Sequence, residues 1–226
     1  MASTKTPQQA LDYAVSFLKQ MPLATQDPAV AVEILDQVGK RMWMAAPWRW
    51  TVGSLPQKAL VANTADYTVT LPNDFLYGLE AKVADPANYP YRDLEIVPDL
   101  PTNGILKGNP SQLAITGAGA NGLYRISPIP GTVASGATII GEYKKIAPTV
   151  TEEDLEEPIL VFPDEWFWVY CLGVMAYAWT WGDDQRGGSG NMASNKQYGF
   201  NGYFGMFESA LEQMREREKL PLAQVR

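Results

Sequence analysis

Residues 162–182 read FPDEWFWVYCLGVMAYAWTWG. Trp166, Trp168, Trp179 and Trp181 are four of the chain's seven tryptophans, and no charged side chain lies between Glu165 and Asp183. Proline suits the first turn of a helix, where its missing N–H would have no intrahelical acceptor, so Pro163 marks a start. Asp164 and Glu165 follow, where carboxylates meet the positive end of the helix dipole. Gly182 suits a stop. The stretch therefore predicts one helix of roughly five turns. Phe167, Tyr170, Cys171, Val174, Ala178 and Trp181 line one side of it; Trp168, Leu172, Met175 and Trp179 line another. A helix with no polar face either spans a membrane or is covered by protein on most sides. The uncharged run would cover about 25 Å, the bottom of the spanning range. Gly173 and Thr180 dilute it and no basic cluster flanks it, so we read a central helix against which other helices and a neighbouring subunit pack.

Working outward, residues 183–191 have the composition of a loop. A last helix is expected from Ser194 to Lys219, with Phe200, Tyr203, Phe204, Phe207, Leu211 and Met214 as its apolar stripe, and Pro221 ending it. On the other side lies an acidic block, Glu152-Glu153-Asp154-Leu155-Glu156-Glu157. Near the amino terminus, Thr6, Pro7 and Gln9 form a helix start of the capping-box type. Ala10, Leu11, Ala14, Phe17, Leu18 and Met21 follow at helical spacing. Asp27-Pro28 opens a second helix with Ala31, Ile34, Leu35, Val38 and Met42 on its apolar face, and Pro47 closes it.

From Trp48 the period changes to two. Trp48, Trp50 and Val52 alternate with Arg49, Thr51 and Gly53, a strand signal. Further strands are expected near residues 58–62, 67–71, 79–83, 94–97, 112–116, 123–127 and 138–144, with turn residues between them. The expected fold is α+β. A bundle of about four helices comes from residues 1–47 and 148–226, with an arm over 220–226. An antiparallel sheet or small barrel over 48–147 is inserted between the second and third helices.

At 46% hydrophobic and 19% charged residues, the composition is that of a folded globular protein. A net charge of −7 argues against a protein that holds nucleic acid through phosphate contacts, which need a basic surplus. MASTKTPQQA has no apolar signal-peptide core. Cys171 is the single cysteine, so no internal disulfide is expected. The chain has no histidine, which removes Ser-His-Asp and Cys-His catalysis and His-containing zinc sites in their usual forms. No catalytic residue, cofactor or metal site is assigned.

Gly117-Ala118-Gly119-Ala120-Asn121-Gly122 matches G-x-G-x-x-G, but a strand pattern follows where a dinucleotide site needs a helix, so it reads as a hairpin turn. The acidic block, with tryptophans as sugar platforms, is the pattern of a carbohydrate-binding or hydrolase module; five acids in six residues are also the pattern of a solvated loop. Ala46-Pro47-Trp48-Arg49-Trp50 reads as an apolar hinge covering the junction of helix and sheet, or as a partner surface rich in the residues of interface hot spots.

The element order and several short motifs resemble the head–tail adaptor proteins of tailed bacteriophages, the group that includes tail tubular or neck proteins. They are the early helix pair ending in Pro47-Trp48-Arg49-Trp50, the turn Leu71-Pro72-Asn73-Asp74-Phe75, and Gly141-Glu142-Tyr143-Lys144-Lys145. The last of these leads through Pro148 and the acidic loop to Ile159 and Phe162-Pro163. A final helix rich in Phe, Glu and Arg completes the set. The resemblance implies a virion structural protein, assembled in the host cytoplasm and not an enzyme. It implies a ring, commonly of twelve copies, between the portal and a downstream tail or nozzle protein. DNA would pass through its channel without sequence-specific binding, and no membrane is involved. Trp48, Trp50, Trp166, Trp179, Trp181, Leu220, Leu222, Val225 and Arg226 are the expected subunit or partner contacts; Glu152, Glu153, Asp183 and Asp184 are the expected acidic residues of channel or rim. A head-completion or nozzle component remains the nearest alternative.

Overall fold

The structure, a computed structural model, describes residues 3–18, 27–84, 92–102, 106–131, 133, 136–181 and 202–218. The chain divides into two compact units, Met1–Trp50 with Ala147–Arg226, and Thr51–Ile146.

Among the described residues, the first unit carries four α-helices: α1 (Pro7–Leu18), α2 (Pro28–Ala45), α3 (Phe167–Trp181) and α4 (Gly202–Glu218). The starts of α1 and α2 follow the local chemistry. Gln9 N–H donates to Thr6 Oγ1 at 3.3 Å while Thr6 N–H donates to Gln9 Oε1 at 3.4 Å, and Asp27 accepts from Ala29 N–H at 3.1 Å ahead of Pro28. Pro163 and its carboxylates form a 3-10 turn, Asp164–Trp166, and the α-helix proper begins only at Phe167. Being apolar on every side, α3 takes the middle of this unit: α1, α2 and α4 all pack on it. Val169, Tyr170, Cys171, Val174, Met175, Ala176 and Ala178 are buried. Tyr170 Oη donates to Leu35 O at 2.9 Å, satisfying the buried hydroxyl. Gly173 is where α2 and α4 both press closest: a Cβ there would sit 2.4 Å from Val38 Cγ1 and 2.9 Å from Phe207 Cε2.

Among the described residues, the second unit forms a large curled sheet of eight strands. Its members are β1 (Val52–Ser54), β2 (Lys58–Ala59), β3 (Asp66–Val69), β4 (Phe75–Ala84), β5 (Arg92–Val97), β7 (Gln112–Thr116), β8 (Gly122–Ser127) and β10 (Thr138–Lys145). Two short strands, β6 (Lys107–Gly108) and β9 (Ile129–Pro130), pair separately. The order is β1-β10-β4-β5-β7-β8-β3, with β2 sharing the β1 edge of β10. Alternate residues of β8 turn inward, placing Tyr124 and Ile126 in a core with Leu55, Leu71, Leu113, Ile139 and Tyr143. The G-x-G-x-x-G run is the β7–β8 hairpin, with Gly117 and Gly119 at φ +79° and +51°, a backbone region that disfavours side chains.

The expected fold class is corrected on two points. The helices are not a four-helix bundle carrying an insert; the fold is mostly β, with helices from the two ends of the chain. The sheet is mixed rather than antiparallel. The reason lies in β5, whose first half (92–94) pairs antiparallel with β4 and whose second half (95–97) pairs parallel with β7. A parallel neighbour needs a crossover, supplied here by the segment from residue 98 to 111, and alternation along a strand carries no information about its neighbour's direction. A third correction is local. Residues Arg49–Thr51 form a 3-10 turn, so the strand anticipated from Trp48 starts at Val52.

Lys144, on β10, is only 1% exposed, and its Nζ donates to Thr51 Oγ1 at 2.6 Å. Burial pushes its amine down to about 8. Below that pH the ammonium is charged in both folded and unfolded states, and desolvation weighs fully against the fold. Between pH 8 and 10.5 the folded chain releases the proton first, so stability rises with pH. The depression corresponds to about 3 kcal/mol. Lys144→Met is expected to be more stable than the parent at pH 7, with the difference shrinking by about 2 kcal/mol at pH 9.5. Urea unfolding at the two pH values checks this; a difference independent of pH contradicts it.

Candidate functional site

The helical unit gathers aromatic side chains at the end of α2. Ala46 is extended, with φ −159° and ψ 167°, and the chain turns back on itself. Trp48 Nε1 donates to Met42 O at 2.6 Å, and Arg215 Nε donates to Ala45 O at 3.0 Å. Both donors satisfy carbonyls that the last turn of a helix leaves without partners. Trp48 and Trp50 stack with centroids 5.5 Å apart and planes 8° from parallel. Trp48 is 3% exposed and Trp50 is half-buried. The pair walls an apolar cavity of about 30 Å³, shared with Met42, Trp43, Phe162 and Met214 among others. That volume is far below the several hundred Å³ of ordinary small-molecule sites.

The acidic block follows the wall residue Val150. Thr151 N–H and Oγ1 both donate to Asp154 Oδ2, at 2.9 and 2.6 Å. These bonds hold the Asp154 carboxyl below its ordinary value, led by the one from the Thr151 hydroxyl. Val150 N–H donates to Asp36 Oδ1 at 3.1 Å and Gln8 N–H to Leu155 O at 2.9 Å, which tie the loop to α2 and α1. Glu152, Glu153, Glu156 and Glu157 are exposed.

Asp164 anchors the amino-terminal segment to the turn before α3. It accepts from Ser3 Oγ at 2.5 Å and, through its two oxygens, from Thr4 N–H at 2.8 Å and Thr4 Oγ1 at 2.5 Å. The Ser3 bond, followed by those of Thr4, depresses its carboxyl to about 2. A lowered carboxylate contributes stability above its unfolded value of 3.8 and loses it as pH falls towards 2. Asp164→Ala is expected to lower the protection of the Thr4 amide against exchange and to remove the pH dependence of that protection factor between pH 4 and 2. Unchanged Thr4 protection contradicts the anchor.

The expected contact residues have different fates. Trp166 is 1% exposed; its Nε1 donates to Glu218 Oε1 at 2.9 Å and the Arg217 guanidinium lies 5.2 Å from its ring centroid, so its own unit covers it. Trp179 and Trp181 belong to α3, with side chains outside the described residues. Leu220, Leu222, Val225, Arg226, Asp183 and Asp184 also lie outside them. The residue that sequence reasoning passed over is Trp168. It is 43% exposed, and Leu172, one turn on along the same side of α3, is half-buried. Its signal was the spacing of two from Trp166, which puts the two rings on opposite sides of a helix. In the sheet unit, Leu76 and Tyr77 of β4 are also exposed, beyond the stretch Ala81–Val83 where β4 pairs with β5.

Among the described residues, no group of three or more Cys, Asp or Glu side chains is placed to hold a metal ion. Burial pushes the Cys171 thiol up to about 12, which makes it inert as a nucleophile. Among the same residues, no helix is long and apolar enough to cross a membrane. Trp168 leaves an aromatic ring exposed on an otherwise packed helix, which suits a protein that engages other polypeptides.

Comparison with known families agrees. Residues 11–225 match the model of the SU10 adaptor protein family, and the chain belongs to that family. It is a phage adaptor, a structural component of the virion that interacts with other phage structural proteins. Comparison with curated protein sequences gives no match.

Proposed function

We propose that this adaptor works between head and tail. Copies assemble side by side into a ring, of twelve, which docks on the portal and presents a platform to the downstream tail or nozzle protein. DNA passes through the ring without sequence-specific binding, and the protein catalyses no reaction. Assembly takes place in the host cytoplasm.

The observation that supports this reading is the exposed Trp168 of α3. Helices α1, α2 and α4 pack on α3, yet Trp168 stays 43% exposed beside half-buried Leu172. Tryptophan is the residue most enriched in interface hot spots, where truncation costs 2 kcal/mol or more. We assign Trp168 to the contact between subunits, with Trp50, Trp179 and Trp181 extending that surface. Trp48 and Trp166 support it from within. Leu220, Leu222, Val225 and Arg226 are assigned to the portal contact. A charge of −7 per copy suits a passage that should not retain phosphates, and we assign Glu152, Glu153, Asp183 and Asp184 to its lumen or rim.

Trp168→Arg tests the assignment. The exposed position leaves folding intact, so circular dichroism should match the parent. On the cognate portal, the contact between neighbouring copies should weaken about 30-fold or more, read as a loss of complete rings in favour of isolated bound copies. Rings formed at the parental protein concentration would remove Trp168 from the subunit contact.

A further inference from the structure

In the sheet unit, β4 runs on past its neighbour β5. β10 pairs it from Phe75 to Ala84, whereas β5 pairs only Ala81–Val83 and, from Glu95 onward, pairs with β7 instead. Among the described residues, then, 76–80 have a strand on one side only, and no backbone hydrogen bond outside the β10 ladder reaches them. Their inner face is closed: a Cβ on Gly78 would lie 2.8 Å from Ile96 Cδ1 and 2.9 Å from Ile115 Cδ1, two side chains that pack on the core of this unit. Leu76, Tyr77 and Glu80 are exposed, as is Ile146, whose N–H donates to Asp74 O at the same end of β4. The register accounts for the exposed pair. Gly78 lies opposite Tyr143, Tyr77 opposite Lys144 and Phe75 opposite Lys145, so Leu79 and Leu76 are extra residues on β4. An extra residue re-aims its neighbours, and Leu76 and Tyr77 both reach solvent where plain alternation would turn one of them inward. Natural sheets guard open edges with lysine, proline or inward charges; residues 76–79 are Leu-Tyr-Gly-Leu.

We infer that the edge Leu76–Glu80 takes an extended segment of another virion protein as an added strand. The segment is about five residues long, roughly 17 Å, apolar beside Leu76 and Tyr77 and basic beside Glu80. Main-chain hydrogen bonds to the open edge supply affinity, and the alternate side chains supply specificity. Two observations favour a segment over a second copy of this chain. The apolar area here is far below the roughly 800 Å² per partner of a stable dimer. The two extra residues also bend and twist the edge, which a flexible segment can follow and a second rigid sheet cannot. Charge sets the basic end. Glu80 lies directly opposite Glu142, both are exposed, and Lys82, 3.4 Å from Glu80, offsets one of the two carboxylates. Like charges opposite each other weaken a sheet, and a cation from the segment relieves them. The inference rests on membership of an adaptor family that engages other phage structural proteins, and not on the ring or its place at the portal.

Amide hydrogen exchange, followed by mass spectrometry on the full chain free in solution and in purified virions, tests it. Exchange at residues 76–80 should be at least tenfold slower in the virion, while residues 81–83, which have a strand on each side already, should change little. Equal exchange at 76–80 in the two states would overturn the inference. So would the same slowing in the concentrated free chain, because the occupant would then be a second copy. Photocrosslinking identifies the occupant: with p-benzoylphenylalanine in place of Tyr77, virions should yield a crosslink to one extended segment of a different virion protein. Crosslinks only between copies of this chain, or none, would overturn the inference. A crosslink to a virion protein that is neither portal nor tail component would support the added strand and count against the head–tail reading, so the two fail separately.

Discussion

Replacing Gly173 with leucine is expected to destabilise the helical unit by about 3 kcal/mol or more, a large share of a typical domain's 5–15 kcal/mol. Alanine already tests the geometry. Its Cβ would lie 2.4 Å from Val38 Cγ1 and 2.9 Å from Phe207 Cε2, and both side chains are fully buried, so neither has room to swing away. Alanine gains about 1 kcal/mol in helix propensity over glycine, which leaves a net cost of about 1–2 kcal/mol for Gly173→Ala. Leucine adds three more carbons at the same crossing. Val38→Ala removes the nearer methyls, so the pair Gly173→Ala with Val38→Ala should be less destabilised than the sum of the single changes, by at least about 1 kcal/mol. All seven tryptophans belong to the helical unit, so their fluorescence follows its unfolding in urea without interference from the sheet. A leucine variant within 0.5 kcal/mol of the parent, the usual spread for surface changes, would show that α2 and α4 do not meet α3 at this point.

Trp166→Ala is expected to cost about 3–5 kcal/mol, the range for emptying a buried aromatic site. The indole is 1% exposed and lies beneath Arg217, and its N–H is taken by Glu218, so it joins the turn before α3 to the end of α4. Trp166→Phe keeps most of the volume and loses the hydrogen bond to the carboxylate, at about 1.5–3 kcal/mol. The ordering alanine, then phenylalanine, then parent, measured by the same fluorescence titration, is the expected outcome. A loss below 1 kcal/mol for the alanine variant would mean that the ring is not part of this core.

These two residues also show what was legible beforehand and what was not. The helix containing both was read from its lack of charge, and its burial on most sides followed from having no polar face. That same uniformity hid which side stayed open. With apolar residues all round, periodicity could not separate Trp166, which is covered, from Trp168, which is not. Where chemistry is local the reading held: Thr6 with Gln9, Asp27 ahead of Pro28, and the glycines of the β7–β8 turn act on their own neighbours. The alternation of Trp48 and Trp50 misled because rings two residues apart share a side in a strand and can also stack across a 3-10 turn; the deciding partner, Met42 O, lies on the preceding helix. The mixed sheet was out of reach for a similar reason. Nothing within Arg92–Val97 announces that half of the strand pairs in one direction and half in the other.

The central claim is that this member of the SU10 adaptor family forms a ring on the portal. Negative-stain electron microscopy of the purified chain mixed with its cognate portal tests it most directly. The account predicts an added annulus on one face of the portal, with copies related by the ring's rotational symmetry. A portal unchanged in outline at saturating protein, or the protein bound as isolated single copies, would contradict it.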